Sequence, residues 1–276
     1  MKRHKIYLAL ILVLSILSLV ACKANVKEEN EGIKVYTTFY PLYDFTNKIG
    51  GNRIELINMI PAGVEPHDFE PSPKQIANLN DADVFIYLGE PMDPWANKVA
   101  KGLKDKGIGV LEAGENLIIN NDPHIWLNPQ LSKEISKGIL EILQDIDEEN
   151  KLYYEENYKK LEERFDLLDE KYWEALKTIK RKDLVVAHAA FGYLTERYGL
   201  NQIPITGLSP QEEPSPKKMA DLSILVKEKD IKYIFFEALG SKKFSETLAK
   251  EVGAELLVIN PLGQITKEEL EAGEDY

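Results

Sequence analysis

Cysteine is nearly absent from this 276-residue chain, which contains only Cys22. A single cysteine cannot form a disulfide within the chain, so no internal cross-link stabilises the fold. Hydrophobic residues make up 44% of the sequence and aromatic residues 9%, which is enough to build a sizeable core. We therefore expect an ordered globular protein with one large domain or two modest ones.

Basic residues are outnumbered by acidic ones. The chain has 34 Lys and Arg against 46 Asp and Glu, for a formal net charge of -12. Such an acidic surface repels phosphate backbones, which argues against a nucleic-acid partner. It also modestly concentrates cations near the protein, and this gives weak support to a metal ligand.

Long hydrophobic runs are missing beyond the N-terminus. Residues 6–20 form an uncharged apolar run after a basic start, Lys2-Arg3-His4-Lys5. This order is typical of a secretory signal. The run is shorter than the roughly 20 residues that a transmembrane helix needs. The sequence therefore predicts a function outside the cytoplasm.

The residues that follow this run predict a lipid anchor. Leu19-Val20-Ala21-Cys22 resembles a lipobox, the cleavage and lipidation site of bacterial lipoproteins. On this interpretation residues 1–21 are the signal peptide, Cys22 carries the lipid, and residues 22–32 are a polar tether to the cell membrane. The alternative is a free cysteine at the end of an ordinary signal peptide.

Alternating short β-branched runs and helical patterns predict an α/β fold. Each set of strands should form a mostly parallel sheet flanked by helices. The predicted strands are 33–38, 54–59, 84–88 and 107–111, then 184–187, 203–206, 233–236 and 256–259. The predicted helices or turns are 47–51, 73–80 and 95–106, then 191–198, 216–229 and 242–252, with a further helix beginning near Ser132.

A long helical region separates the two sets of strands. From Tyr154 to Ile179 apolar residues recur every three or four positions, and no Gly or Pro interrupts residues 150–180. We interpret residues 150–181 as a rigid helix joining an N-terminal lobe, 33–149, to a C-terminal lobe, 182–276. The alternative is a surface helix of one domain.

One short motif occurs in both predicted lobes. Glu70-Pro71-Ser72-Pro73-Lys74 is repeated as Glu213-Pro214-Ser215-Pro216-Lys217. In each copy the serine can cap a helix that begins with proline. The repeat suggests related lobes, although two favourable caps can also recur by chance.

Three histidines remain once His4 leaves with the leader. His67 lies in a proline-rich loop, His124 lies between two prolines in Asp122-Pro-His-Ile-Trp-Leu-Asn-Pro129, and His188 directly follows a predicted strand. Each stands in a loop at the boundary of a predicted element, and His188 lies at the carboxyl end of a strand, where open α/β sheets bind ligands. Imidazole is the commonest ligand of transition metals. The sequence therefore predicts that His67, His124 and His188 bind one divalent metal ion.

At these histidines the chain resembles the ZnuA/TroA-like zinc and manganese solute-binding proteins of bacterial ABC transporters. The similarity spans about residues 33–276. The matching stretches are Pro66–Ser72, Asp122–Pro129, Val186–Tyr193 and Ser209–Pro216.

This resemblance implies two α/β lobes joined by one long helix, with the metal held between them and little domain closure. His67 and His124 would come from the first lobe and His188 from the second. The protein would be a monomeric receptor, not an enzyme, and would deliver its metal to a permease driven by a cytoplasmic ATPase.

The chain departs from the family in three places. Residues 112–121 are short and lack the histidines that many members carry there. Asn260 and Gly263 stand where an acidic fourth ligand is expected, which leaves water, the Asn260 amide oxygen or Glu237 as candidates. The family usually continues into a final helix beyond the last residue here, Tyr276, so the resemblance implies a truncated C-terminal lobe.

The identity of the metal follows from His188. Manganese receptors of the family typically have glutamate there, and zinc accepts three imidazoles in a tetrahedron, so zinc is expected over manganese. Its affinity should fall in mild acid as imidazole is protonated. Remaining alternatives are a manganese receptor, a zinc hydrolase, which would use the same ligand set, and a surface adhesin.

Overall fold

The structure, a computed structural model, describes residues 32–238 and 240–276. The predicted signal peptide, Cys22 and nearly all of the tether lie outside these residues. Within the described ranges, no helix combines the length and the apolar character that a membrane span requires.

The first lobe is built on a four-stranded parallel sheet. The strand order is β2-β1-β3-β4, and all three neighbouring pairs are parallel. Its strands are β1 Ile33–Thr37, β2 Ile54–Asn58, β3 Val84–Tyr87 and β4 Gly109–Glu112. Its helices are α1 Tyr40–Gly50, α2 Pro73–Asn78, α3 Ala96–Lys104 and α4 Pro129–Ile146.

The second lobe repeats this arrangement with the strand order β6-β5-β7-β8, again all parallel. Its strands are β5 Asp183–Val186, β6 Asn201–Pro204, β7 Tyr233–Phe236 and β8 Glu255–Val258. Its helices are α6 Gly192–Tyr198, α7 Pro216–Glu228, α8 Lys243–Val252 and α9 Lys267–Glu271.

The long helix α5, Lys151–Leu176, stands between the two lobes in the chain. Its buried face, which includes Tyr154, Leu161 and Phe165, packs against α1 and α4 of the first lobe. The predicted class, two parallel-sheet lobes with one long helix, is confirmed. The helix ends at Leu176 rather than at the predicted residue 181, because the chain turns there to enter β5 and Ile179 lies in that turn.

The apolar core is continuous between the lobes. Val186, Phe191 and Tyr193 of the second lobe belong to the same buried cluster as Ile125 and Trp126 of the first. Tyr193 also accepts a hydrogen bond from the Ile119 backbone N–H at 2.8 Å and donates to the Asp122 carbonyl at 3.0 Å. Because buried cores are close-packed, this shared core holds the two lobes in a fixed relation.

The repeated capping motif forms as predicted. Ser72 accepts a hydrogen bond from Gln75 N–H and Ser215 from Lys218 N–H, each in front of a helix that starts with proline. The helix or turn predicted at residues 47–51 is confirmed as the end of α1, but this helix already begins at Tyr40. Its first four residues are all aromatic or apolar and three of them are buried, so they lack the one-sided periodicity that marks a surface helix.

Candidate metal centre

His67 lies in the loop between β2 and α2. A short 3-10 turn, Pro66–Asp68, carries it, and the Glu65 carboxylate accepts a hydrogen bond from its backbone N–H at 3.3 Å. Proline fixes the backbone ahead of the histidine. The loop therefore presents a half-buried imidazole in a restricted orientation.

His124 lies between β4 and α4 and is 1% exposed. Its Nδ1–H donates to Asp122 Oδ1 at 2.7 Å, and its backbone N–H donates to the same oxygen at 3.0 Å. A carboxylate on Nδ1 fixes the neutral tautomer that leaves Nε2 free as a ligand. Asp122 is therefore a functional residue whose role sequence reasoning missed, although its place two residues before a histidine was a usable signal.

His188 follows the end of β5 and is 2% exposed. Its Nδ1–H donates to Glu237 Oε1 at 2.6 Å. Glu237 follows the end of β7, the strand that pairs with β5. The structure thus places Glu237, a predicted candidate for the fourth ligand, on the Nδ1 side of His188, where it orients the ring.

The three imidazoles converge through their Nε2 atoms. His124 Nε2 lies 3.2 Å from His67 Nε2 and 3.3 Å from His188 Nε2, and the ligand atoms of all three lie within 4.8 Å of one another. Zinc–nitrogen bonds of about 2.0–2.1 Å at a tetrahedral angle place two ligand nitrogens about 3.3–3.4 Å apart. The spacing around His124 Nε2 therefore fits a tetrahedral zinc ion.

The tautomers of these rings favour a cation between them. Because Nδ1 of both His124 and His188 carries the proton that each donates to a carboxylate, their Nε2 atoms carry lone pairs. Two lone pairs facing each other at 3.3 Å repel unless a positive centre lies between them. The donor set fits a divalent metal better than it fits a hydrogen-bonded histidine cluster.

Burial lowers the pKa of two of these imidazoles, His67 and His124. It lowers the pKa of His67 to about 3, and the neighbouring His124 and His188 lower it further. Burial also lowers the pKa of His124, while Asp122 opposes this shift. Since only neutral imidazole binds a metal, His67 and His124 keep their metal-binding form below neutral pH.

The cavity at the convergence point is small. Its volume of about 30 Å³ is room for an ion with one or two waters, whereas organic ligands occupy roughly 300–1,000 Å³. Both lobes line it. The polar lining residues besides the histidines are Glu65, Glu237, Asn260, Gln264, Thr266 and Glu269.

Asn260, the other protein candidate for a fourth ligand, is partly engaged elsewhere. Its Oδ1 accepts a hydrogen bond from the Leu262 backbone N–H at 2.8 Å. Gly263 is buried, and a side chain there would start 3.4 Å from Trp126. Glu65 and Gln264, which sequence reasoning did not single out, also reach the cavity.

The sequence is similar to proteins described as zinc-uptake or zinc-binding proteins. Residues 35–276 match the family model described as zinc-uptake complex component A, periplasmic. The chain is 38% identical over 274 residues to the high-affinity zinc uptake system protein ZnuA of Bacillus subtilis, a match that covers 92% of this chain and 86% of that protein. It spans only 53% of the longer zinc-binding protein AdcA of Streptococcus pyogenes, to which it is 38% identical.

Solved structures agree with this comparison. The Zn(II)-bound ZnuA-like domain of Streptococcus pneumoniae AdcA superposes with a TM-score of 0.79 at 38% identity, over 89% of this chain and 93% of that one. The laminin-binding adhesin Lmb of Streptococcus agalactiae gives 0.81 at 32% identity, over 87% and 96%.

The family consists of solute-binding receptors rather than enzymes, which removes the zinc hydrolase from the alternatives. With its fold, its three converging histidines and a match over nearly its whole length, the chain belongs to the ZnuA family of extracytoplasmic zinc-uptake binding proteins.

Proposed function

We propose that this chain captures Zn²⁺ outside the cytoplasmic membrane through His67, His124 and His188 and delivers it to an ABC permease driven by a cytoplasmic ATPase. The observation that carries the proposal is the convergence of three Nε2 atoms drawn from both lobes. The proposal treats zinc as cargo. One chain supplies the whole ligand set, so the receptor acts as a monomer.

Zinc is preferred to manganese because of the ligand chemistry. Within the described residues, the cluster that could hold a metal contains three imidazoles and no carboxylate. Manganese favours oxygen ligands, whereas zinc readily accepts three imidazole nitrogens and a fourth light ligand. The Zn(II)-bound AdcA domain among its relatives supports the same choice.

Thermal unfolding of the metal-free protein tests this choice. A ligand present at 1,000 times its dissociation constant stabilises the folded state by about 4 kcal/mol. We expect a far larger rise in melting temperature with Zn²⁺ than with Mn²⁺ at equal concentration, and no rise in a triple His67→Ala, His124→Ala, His188→Ala variant. A larger effect of Mn²⁺ would reject the zinc receptor in favour of a manganese receptor.

The proposed location depends on Cys22 as a lipid anchor. A relative is called zinc-binding lipoprotein AdcA in Streptococcus pneumoniae, and the family model is described as periplasmic. Cys22→Ser should release the protein from the membrane fraction in a bacterial host, whereas the unchanged chain should stay with it. Equal release of both proteins would argue for an ordinary cleaved signal.

Surface adhesion is the second candidate function. It is favoured by the 32% identity to a structure described as a bifunctional protein with adhesin and metal-transporting activity, Lmb of Streptococcus agalactiae. Binding of the purified protein to immobilised laminin, compared with the triple histidine variant, tests it. Laminin binding that survives the loss of zinc binding would show an adhesive surface separate from the metal site.

A further inference from the structure

A loop of the second lobe, residues 260–266, reaches across to the first lobe beside the three histidines. Two hydrogen bonds to its backbone anchor it there. The Trp126 indole N–H donates to the Pro261 carbonyl at 2.7 Å, and the Gly63 N–H donates to the Ile265 carbonyl at 3.0 Å. These bonds lie on either side of Gln264, so the loop holds this side chain at the wall of the metal cavity.

The two ends of the Gln264 amide have different surroundings. Its Nε2 donates to Glu65 Oε2 at 3.3 Å. Its Oε1 is buried and has no hydrogen-bond partner within the described part of the chain. A carboxylate oxygen accepts hydrogen bonds, so it selects the amide orientation that turns the nitrogen toward Glu65. A buried carbonyl oxygen without a partner is unusual and costly, which points to a missing ligand.

Glu65 is placed to hold this orientation. One of its carboxylate oxygens accepts from the His67 backbone N–H at 3.3 Å and the other accepts from Gln264. Glu65 therefore links the loop that carries His67 to the loop of residues 260–266 in the second lobe. Glu65 and Gln264 line the same small cavity as the three imidazoles.

We propose that the Gln264 amide oxygen makes the non-histidine oxygen contact of the bound metal and that Glu65 is the positioning residue that keeps this oxygen turned toward it. The inference rests on the proposed function. Gly263 has no side chain to contribute, so the neighbouring residue on the same loop provides the oxygen. Because an amide is neutral, this contact itself adds no negative charge to the metal, unlike a carboxylate ligand.

Cobalt(II) is a suitable probe, because its visible d–d bands report the number and geometry of its ligands and it occupies sites of the zinc type. We compare full-length protein with Gln264→Ala, Glu65→Gln and the double variant. Glu268→Gln is the matched control. Glu268 is exposed on α9 and does not line the cavity, so this substitution removes one carboxylate charge without altering the site.

We expect Gln264→Ala to change the cobalt spectrum and to weaken zinc binding by roughly tenfold, because water can replace the neutral amide oxygen on the metal. Glu65→Gln should change the spectrum in the same direction, and the double variant should add little, since the two residues act as one unit. Glu268→Gln should match the unchanged protein in both measurements.

Two results would overturn the inference while leaving the receptor intact. One is a Gln264→Ala variant with an unaltered cobalt spectrum and zinc affinity. The other is an equal change in Glu268→Gln, which would reveal a general effect of charge. Failure of the unchanged protein to bind either metal would instead reject the proposed function itself. Thermal unfolding of each metal-free variant shows whether it is folded.

Discussion

The two sheets share one strand order. In each, two central strands lie side by side, β1 and β3 in the first lobe and β5 and β7 in the second, and the connections that follow them lead in opposite directions. In open α/β sheets ligands bind at such points. In the second lobe, the point between β5 and β7 holds His188 and Glu237, bonded at 2.6 Å. In the first lobe, the point between β1 and β3 holds Asp93, which accepts from Thr38 Oγ1 at 3.0 Å and Leu88 N–H at 2.8 Å.

The difference shows how one topology can serve two purposes. Asp93 is 1% exposed and accepts only from its own lobe's side chain and backbone, so it closes the crevice of the first lobe. Burial raises its pKa to about 6. The proposed metal ligands of the first lobe, His67 and His124, instead lie in the loops after β2 and β4. The proposed ligand of the second lobe, His188, lies in its crevice.

The largest expected effect comes from removing the histidine at the second lobe's crevice. His188→Ala should weaken zinc binding by more than about 100-fold, the upper end of what a lost supporting contact costs, because it removes a direct ligand. His67→Ala should have a comparable effect. Chelator competition measures both. A His188→Ala protein that binds within tenfold of the unchanged chain would mean that the first lobe holds the metal alone.

Substituting the buried carboxylate of each crevice, Glu237 or Asp93, tests whether only the second crevice serves the metal. Glu237→Gln should lower zinc affinity about 10- to 100-fold and leave the metal-free protein nearly as stable. Asp93→Asn should leave affinity unchanged and destabilise the fold by about 1–3 kcal/mol, because a neutral amide oxygen would replace the carboxylate oxygen that accepts both buried hydrogen bonds. Calorimetric zinc titration and denaturant unfolding measure the two effects. If both substitutions lower zinc affinity, the proposal that only the second lobe's crevice takes part in metal binding is wrong.

The pH dependence of zinc binding tests how well burial protects the site. Protonated imidazole does not bind metal, so a lowered pKa means that His67 and His124 keep their ligand form as pH falls. Between pH 7 and 5.5, three unperturbed imidazoles would lose several hundredfold in affinity, roughly eightfold each. We expect a clearly smaller loss of zinc affinity, because the pKa values of His67 and His124 are lowered. A fall as steep as the unperturbed one would show solvated rings.

A smaller effect concerns the attachment of the second lobe to the long helix. Arg197 of α6 donates to both carboxylate oxygens of Asp169 on α5, at 2.6 and 2.5 Å, and Tyr198 donates to the same group. The pair is only partly buried, so Arg197→Lys should cost about 1 kcal/mol. This would lower the melting temperature by about 2–4 °C and leave zinc affinity unchanged. A large loss of affinity would mean that this pair also sets the site.

Much of the fold could be predicted from local pattern. The strand Tyr233–Phe236 has the predicted bounds, and both serine caps form. Period-two and helical patterns are local properties that tertiary packing did not override in these segments. The start of helix α1 was missed because its first four residues are all aromatic or apolar, and such a segment carries no periodic signal.

The residues that orient the site also differ in how far along the chain they lie from their partners. Asp122 orients His124 from two residues away, so both residues belong to one short motif that can be read from the sequence. Glu237 orients His188 from 49 residues away, and only the pairing of β5 with β7 brings them together. The Glu65–Gln264 contact joins residues that are 199 positions apart, so no local pattern could reveal it.

By itself the sequence determined the element types, the two related sets of strands and the three histidines at the ends of elements, because residue chemistry and spacing are written along the chain. The tertiary structure decided which atoms meet: Nε2 rather than Nδ1 at the centre, Glu237 behind a ring, and Gln264 at the cavity wall. These depend on strand order and on the packing of one lobe against the other, which fix distances between residues far apart in sequence.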